Sequence, residues 1–108
     1  MIENLVRYDI NEGVKLFRND PSAILLDVRR VDEYESIHIL GSINIPVETI
    51  EKAIDILKDK EQIIYVYCRS GVRSLKAADA LIKMGYKNVI EIGGIIDFLG
   101  ETIKKRVT

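Results

Sequence analysis

The sequence predicts an α/β fold: a single domain spanning 1–108, with a central, mostly parallel sheet of about five strands and helices on both faces. Two observations predict it. Short apolar runs at 23–28, 63–67 and 89–92 lack the in–out alternation of a sheet wetted on one side, so they read as strands buried on both faces. Segments with apolar residues at helical spacing lie between these runs, and strands alternating with helices build a parallel sheet covered on two sides. A length of 108 residues suits one compact domain with one core.

Each element has a local reason. Asp9 with Glu12 three residues later makes a capping-box-like start, and Ile10, Val14 and Phe17 follow at helical spacing up to the Asn19-Asp20-Pro21 stop. Ala23 to Val28, broken only by Asp27, is a buried strand. Val31 to Ser36 holds a short helix, and Ser42 to Ile45 is a brief strand ending at Pro46. Val47, Ile50, Ile54 and Leu57 mark a second amphipathic helix. Ile63-Ile64-Tyr65-Val66-Tyr67 is the strongest strand, with Tyr65 and Tyr67 as core residues. Leu75, Ala78, Leu81 and Ile82 trace another helix, closed by Gly85. Val89 to Ile92 is the last strand, and Gly93-Gly94 opens a turn. The tail from Ile95 to Thr108 reads as helical, its end complemented by Lys104, Lys105 and Arg106.

Composition narrows the function classes. A formal net charge of −1 gives no global attraction to nucleic acid or to an anionic membrane, and neither is expected as a partner. The N-terminus carries Glu3 and no long apolar run behind it, and no stretch reaches the length of a membrane span. The expected location is the cytoplasm. The single cysteine, Cys68, excludes an intrachain disulfide and a cysteine-based metal site, and no metal or other cofactor is expected.

The chemistry is expected where the strongest strand ends, because ligands of parallel sheets bind at the carboxyl ends of strands. There the chain reads Cys68-Arg69-Ser70-Gly71-Val72-Arg73-Ser74 and passes into a helix. A tight strand–loop–helix turn aims several backbone N–H groups at one spot, and the positive end of the helix dipole adds to them. Gly71 lets the backbone curl, Arg69 and Arg73 bring fixed positive charge, and Ser70 and Ser74 bring hydroxyls. A thiol in such a cradle is expected to ionise more readily than a free one, which makes Cys68 a nucleophile instead of a small buried apolar residue.

The loop resembles the active-site loop of rhodanese domains. Two further segments support the resemblance. Leu26-Asp27-Val28-Arg29, with Glu33-Tyr34 and His38-Ile39-Leu40-Gly41-Ser42-Ile43-Asn44-Ile45-Pro46, is similar to the family's first signature. Leu81, Gly85, Val89 and Gly93-Gly94 are similar to its closing segment, although Phe98 stands where members often carry a tryptophan. The resemblance implies a sulfurtransferase that moves a sulfane sulfur through a cysteine persulfide. Cys68 is then the catalytic residue, and Arg69, Ser70, Gly71, Val72, Arg73 and Ser74 hold the substrate. The donor is a small anionic sulfur compound such as thiosulfate or a persulfide. With no second cysteine in the chain, the acceptor comes from outside as cyanide, a thiol or a sulfur-acceptor protein.

Two other readings compete with this one. Phosphatases of related architecture place five residues between cysteine and arginine, whereas four, Arg69 to Val72, separate Cys68 from Arg73. Arsenate reduction calls for a second, resolving cysteine. A catalytically silent binding or sensing module typically loses the cysteine or scrambles the loop, and this chain keeps both. Two supporting residues are left with open roles. The Asp27 carboxylate either receives loop N–H groups or an arginine, or caps the short helix starting near Arg30. Arg29 either adds positive potential at the mouth or, by preference, pairs with an acid such as Glu33. His38 is given a structural role in its turn over that of a general base.

Overall fold

The computed structural model describes residues 5–106. β1 (Val6–Arg7) leads into α1 (Ile10–Arg18), whose N-cap is Asp9: its carboxylate accepts hydrogen bonds from the Asn11 and Glu12 amides, while Glu12 makes no return bond to the Asp9 amide of the expected capping box. β2 (Ile24–Asp27), α2 (Val31–Ser36), β3 (Ile37–Ile39) and β4 (Ile43–Asn44) follow. A 3-10 helix (Val47–Lys52) then runs into α3 (Ala53–Ile56). β5 (Ile63–Cys68), α4 (Val72–Lys83) and β6 (Asn88–Gly94) complete the centre of the fold. Five strands pair in parallel in the order β1-β6-β5-β2-β4, with β5 in the middle.

Alternation along the strands splits the core in two. Leu26, Ile64, Val66 and Cys68 face Ala53, Leu57, Ala77, Ala78 and Leu81 on one side of the sheet. Leu25, Tyr65, Tyr67 and Ile92 face Ile10 and Val14 of α1 on the other. The expected arrangement, a five-stranded parallel sheet with helices on both faces, is the one observed. Among the described residues no helix is long and apolar enough to cross a membrane.

Two elements differ from the sequence reading. The expected helix over 47–57 is split, because Thr49 has non-helical dihedrals (φ −126°, ψ 32°) and the first stretch winds as a 3-10 helix. Ile50, Ala53 and Leu57 still turn inward, but Ile54 faces solvent. The tail is not a helix. A single 3-10 turn (Ile95–Asp97) is followed by β7 (Thr102–Lys104), which pairs antiparallel with β3. Gly100 interrupts any helical run, and the β-branched pair Thr102-Ile103 suits a strand whose backbone partners wait at Ile37–Ile39. The bond from the Lys105 amide to the Ser36 carbonyl extends this ladder, so Lys104 and Lys105 do not complement a helix end. Residues 107–108 of the expected helix lie outside the described residues.

Parallel pairing brings one set of strand ends together. Asp27 pairs with Tyr67, and Cys68 lies beside Gly94 across a register shift. The loop after Cys68, the segment after Asp27 and the Gly93-Gly94 pair therefore share one edge of the sheet.

Candidate active site

Cys68 ends β5 and Gly71 is the N-cap of α4, so two residues, Arg69 and Ser70, make the whole connection. Gly71 has φ +102°, a left-handed conformation that costs a residue with Cβ about 1–2 kcal/mol. The curl turns its amide back onto the sulfur, and Gly71 N donates to Cys68 Sγ at 2.9 Å. The first turn of the twelve-residue α4 adds its unpaired amides and the positive dipole end. The arrangement aims one backbone donor and the positive end of a helix at the Cys68 sulfur.

The wall behind the loop comes from β6. A Cβ added at Gly94 would lie 2.0 Å from the Arg69 carbonyl oxygen, so only glycine lets the two backbones meet. The same carbonyl accepts from the Ile96 amide at 3.2 Å. The closing Gly-Gly pair thus fixes the loop from behind. Phe98 packs with the α1-side core, filling the last turn.

The predicted loop residues separate into three groups. Arg69, Ser70 and Val72 are exposed, Val72 at 68%. Gly71 and Ser74 are buried against the sulfur, and the Ser74 Oγ lies 3.3 Å from Sγ. Cys68 itself is only 1% exposed, at the floor of the loop. Arg73 is held away from free solvent by a two-pronged pair with Glu33, Nη1–Oε1 2.6 Å and Nη2–Oε2 3.1 Å. Hydrogen bonding by Arg73 holds the Glu33 carboxyl down at about 2, and the same pair raises the arginine. Of the two arginines, Arg69 is the one whose side chain makes no ion pair among the described residues.

Asp27 and Arg29 form a buried pair beneath the mouth. The guanidinium binds both Asp27 oxygens (Nη2–Oδ2 2.7 Å, Nε–Oδ1 3.1 Å) and donates to the Ile37 carbonyl at 2.6 Å. Burial works against the charge on Arg29, but the Asp27 hydrogen bond and negative charge outweigh it and leave the arginine raised. The Asp27 carboxylate meets an arginine, and its Oδ1 also accepts from the Arg29 backbone amide at 2.9 Å. The start of α2 itself is tied by Glu33, which accepts from the Arg30 amide. Arg29 forms an ion pair as preferred, though its partner is Asp27. His38 stacks on Tyr34 at 3.9 Å and bonds the Tyr34 carbonyl through Nδ1, which is a structural setting. Tyr67 is buried; burial and the Asp27 charge raise its phenol, whose oxygen accepts from the Ile39 amide.

The site also holds a residue that the sequence pattern does not single out. Glu91 sits in the middle of β6 with a side chain 1% exposed. Its Oε2 accepts from Ser74 Oγ and from the Gly93 amide, and its Oε1 pairs with Arg7 at 3.0 Å. The available signal was an acid inside an otherwise apolar run, Val89-Ile90-Glu91-Ile92.

This architecture and loop define a class, and the comparisons agree with it. The family model of the rhodanese-like domain matches residues 11–99, and the chain belongs to that family. Among its relatives, the tRNA uridine(34) hydroxylase of Hamiltonella defensa is 38% identical over 94% of this chain and 29% of its own length. The putative sulfur carrier protein YrkF of Bacillus subtilis is 41% identical over 78% of this chain and 45% of its own. The chain therefore spans less than half the length of these two relatives. A putative mitochondrial thiosulfate sulfurtransferase of Schizosaccharomyces pombe is 35% identical, covering 82% of this chain and 73% of that one. Among solved structures, a rhodanese with anions from E. coli superimposes with a TM-score of 0.70 at 34% identity, over 76% of this chain and 98% of that one. Family membership supports sulfurtransferase-type chemistry.

Proposed function

We propose that this protein carries a sulfane sulfur on Cys68, taking it from thiosulfate or a persulfide and passing it to an external thiol, cyanide or a sulfur-accepting protein. The observation that carries the reading is the Gly71 amide aimed at Cys68 Sγ at the positive end of α4. The names of the sulfur carrier and thiosulfate sulfurtransferase relatives point the same way.

The reaction is a two-step exchange. The Cys68 thiolate attacks the outer sulfur of the donor. A Sγ–S bond forms, the donor's S–S bond breaks, and sulfite or a thiolate leaves with the electron pair. An acceptor nucleophile then attacks the outer sulfur of the persulfide and Cys68 departs as thiolate. Arg69, exposed at the rim, attracts the anionic donor. Arg73 shapes the loop through Glu33, and Asp27 with Arg29 braces the neighbouring strand end. A cytoplasmic setting suits a chain whose one thiol must stay reduced between turnovers.

Arg73 also weighs against a phosphatase. Such an enzyme directs its loop arginine at the phosphoryl oxygens, and here the guanidinium is already occupied by a carboxylate. Intact-protein mass spectrometry tests the proposal. Thiosulfate should add the mass of one sulfur, cyanide should remove it, and Cys68→Ser should remain folded but unlabelled. Hydrolysis of an activated aryl phosphate with no persulfide detectable would reverse the assignment.

A further inference from the structure

The buried carboxylate of Glu91 has no place in the scheme above, yet it is one atom away from it. Ser74 Oγ lies 2.5 Å from Glu91 Oε2 and 3.3 Å from Cys68 Sγ. A hydroxyl carries one hydrogen. Directed at a carboxylate oxygen, that hydrogen is not available to the sulfur, so the Ser74 oxygen offers Sγ only its lone pairs. The thiol is then the donor of the 3.3 Å contact, and the three groups form one chain running from S–H through O–H to carboxylate.

From this chain we infer that Glu91 is the positioning residue that takes up the proton of Cys68, acting through Ser74. The inference rests on the sulfurtransferase reading and supplies its missing base. The step balances within the protein. The S–H proton moves to Ser74 Oγ while the Ser74 proton moves to Glu91 Oε2. This leaves a thiolate, a hydroxyl whose hydrogen now points at sulfur, and a neutral carboxyl. The thiolate is held by the Gly71 amide at 2.9 Å and by Ser74. After sulfite or thiolate leaves, the proton on Glu91 returns to solvent or to the departing group.

The supports of the chain suit the task. Glu91 is set by β6 between β1 and β5, with Arg7 pairing Oε1 and the Gly93 amide on Oε2. Arg7 therefore orients the carboxylate from the oxygen that does not receive the proton. The charged groups around the chain are Arg7 from β1 and Arg73 from α4, whose charge couples to Cys68 and is paired with Glu33. A nucleophile beside a base that a third group orients is the recurring logic of activated nucleophiles.

Alkylation by iodoacetamide, read by intact mass from pH 5 to 10, isolates thiolate formation from sulfur chemistry. Cys68 is the only thiol, so a modification absent from Cys68→Ser under the same conditions reports on it. A free thiol is only a few per cent ionised at pH 7, so a working relay is worth about tenfold or more there. Glu91→Gln should slow alkylation at pH 7 by about tenfold, and the deficit should vanish near pH 10, where hydroxide removes the proton directly. Ser74→Ala, which breaks the bridge but keeps the carboxylate, should show the same profile and serves if Glu91→Gln does not fold. A folded Glu91→Gln protein that alkylates as fast as wild type at pH 7, or faster, overturns the inference, since the carboxylate would then act only by its charge. A wild-type thiol that alkylates at no pH overturns it too. If the relay profile appears but thiosulfate leaves no persulfide, the relay stands and the sulfurtransferase reading fails.

Discussion

The Glu33–Arg73 pair offers the sharpest quantitative test of how the loop is held. Glu33→Gln removes the negative charge but keeps an oxygen to accept from the Arg30 amide, so the start of α2 is not orphaned. A carboxyl held at about 2 against an ordinary 4.5 is worth, at about 1.4 kcal/mol per tenfold, at most roughly 3.4 kcal/mol. The side chains are 27% and 16% exposed, so water screens part of this, and about 1 to 2 kcal/mol is the working expectation. The sign is fixed by the direction of the shift. A depressed carboxyl stabilises the fold above its unfolded value near 4.5 and loses that contribution as pH falls toward 2. Urea denaturation at pH 7, 4.5 and 3 should show Glu33→Gln weaker by about 1 to 2 kcal/mol at pH 7, with the gap closing on acidification. The freed Arg73 should also lower the KM for thiosulfate. A gap below about 0.3 kcal/mol at pH 7, or one that does not change with pH, refutes the assignment of this pair as the cause.

Other perturbations read other parts of the site. Asp27→Asn leaves the Arg29 guanidinium buried without its charge partner, which should cost about 3–5 kcal/mol in urea denaturation; a loss under about 1 kcal/mol would show that the pair is not needed. Gly94→Ala forces a Cβ into the Arg69 carbonyl, so persulfide formation by mass should fall sharply while circular dichroism keeps the folded spectrum. Full persulfide loading in Gly94→Ala would mean that β6 does not set the loop.

The sequence displays the strands because each is continuous and apolar, and it displays the loop because cysteine, glycine and two arginines fall within six positions. Helix starts were equally plain where a side chain does the capping, as at Asp9. Tertiary partners were not legible. The tail has enough apolar residues to suggest a helix, and only the presence of β3, distant in sequence, makes it a strand. Arg73 reads as a free cation until Glu33, forty residues earlier, is placed against it. Glu91 reads as one acid in a strand until α4 brings Ser74 onto it. Charge partners across long sequence separations are fixed by topology, which local pattern does not contain.

The charges at this edge of the sheet are arranged in a consistent order. Three of the site's cations, Arg7, Arg29 and Arg73, are each spent on one carboxylate, Glu91, Asp27 and Glu33. Each pair joins the sulfur's surroundings to a different element: β1 to β6, β2 to the turn after it, and α4 to α2. Positive potential at the loop then comes from the dipoles of backbone amides and from the charge of Arg69 at the rim. Amides fixed by a helix start and a glycine curl cannot swing away, so they stabilise one negative sulfur without reorganising. A mobile arginine would favour a larger, more highly charged anion such as a phosphoryl group. By committing Arg73 to Glu33, the chain leaves a small, weakly charged cradle, which is what the proposed sulfur-carrying role asks for.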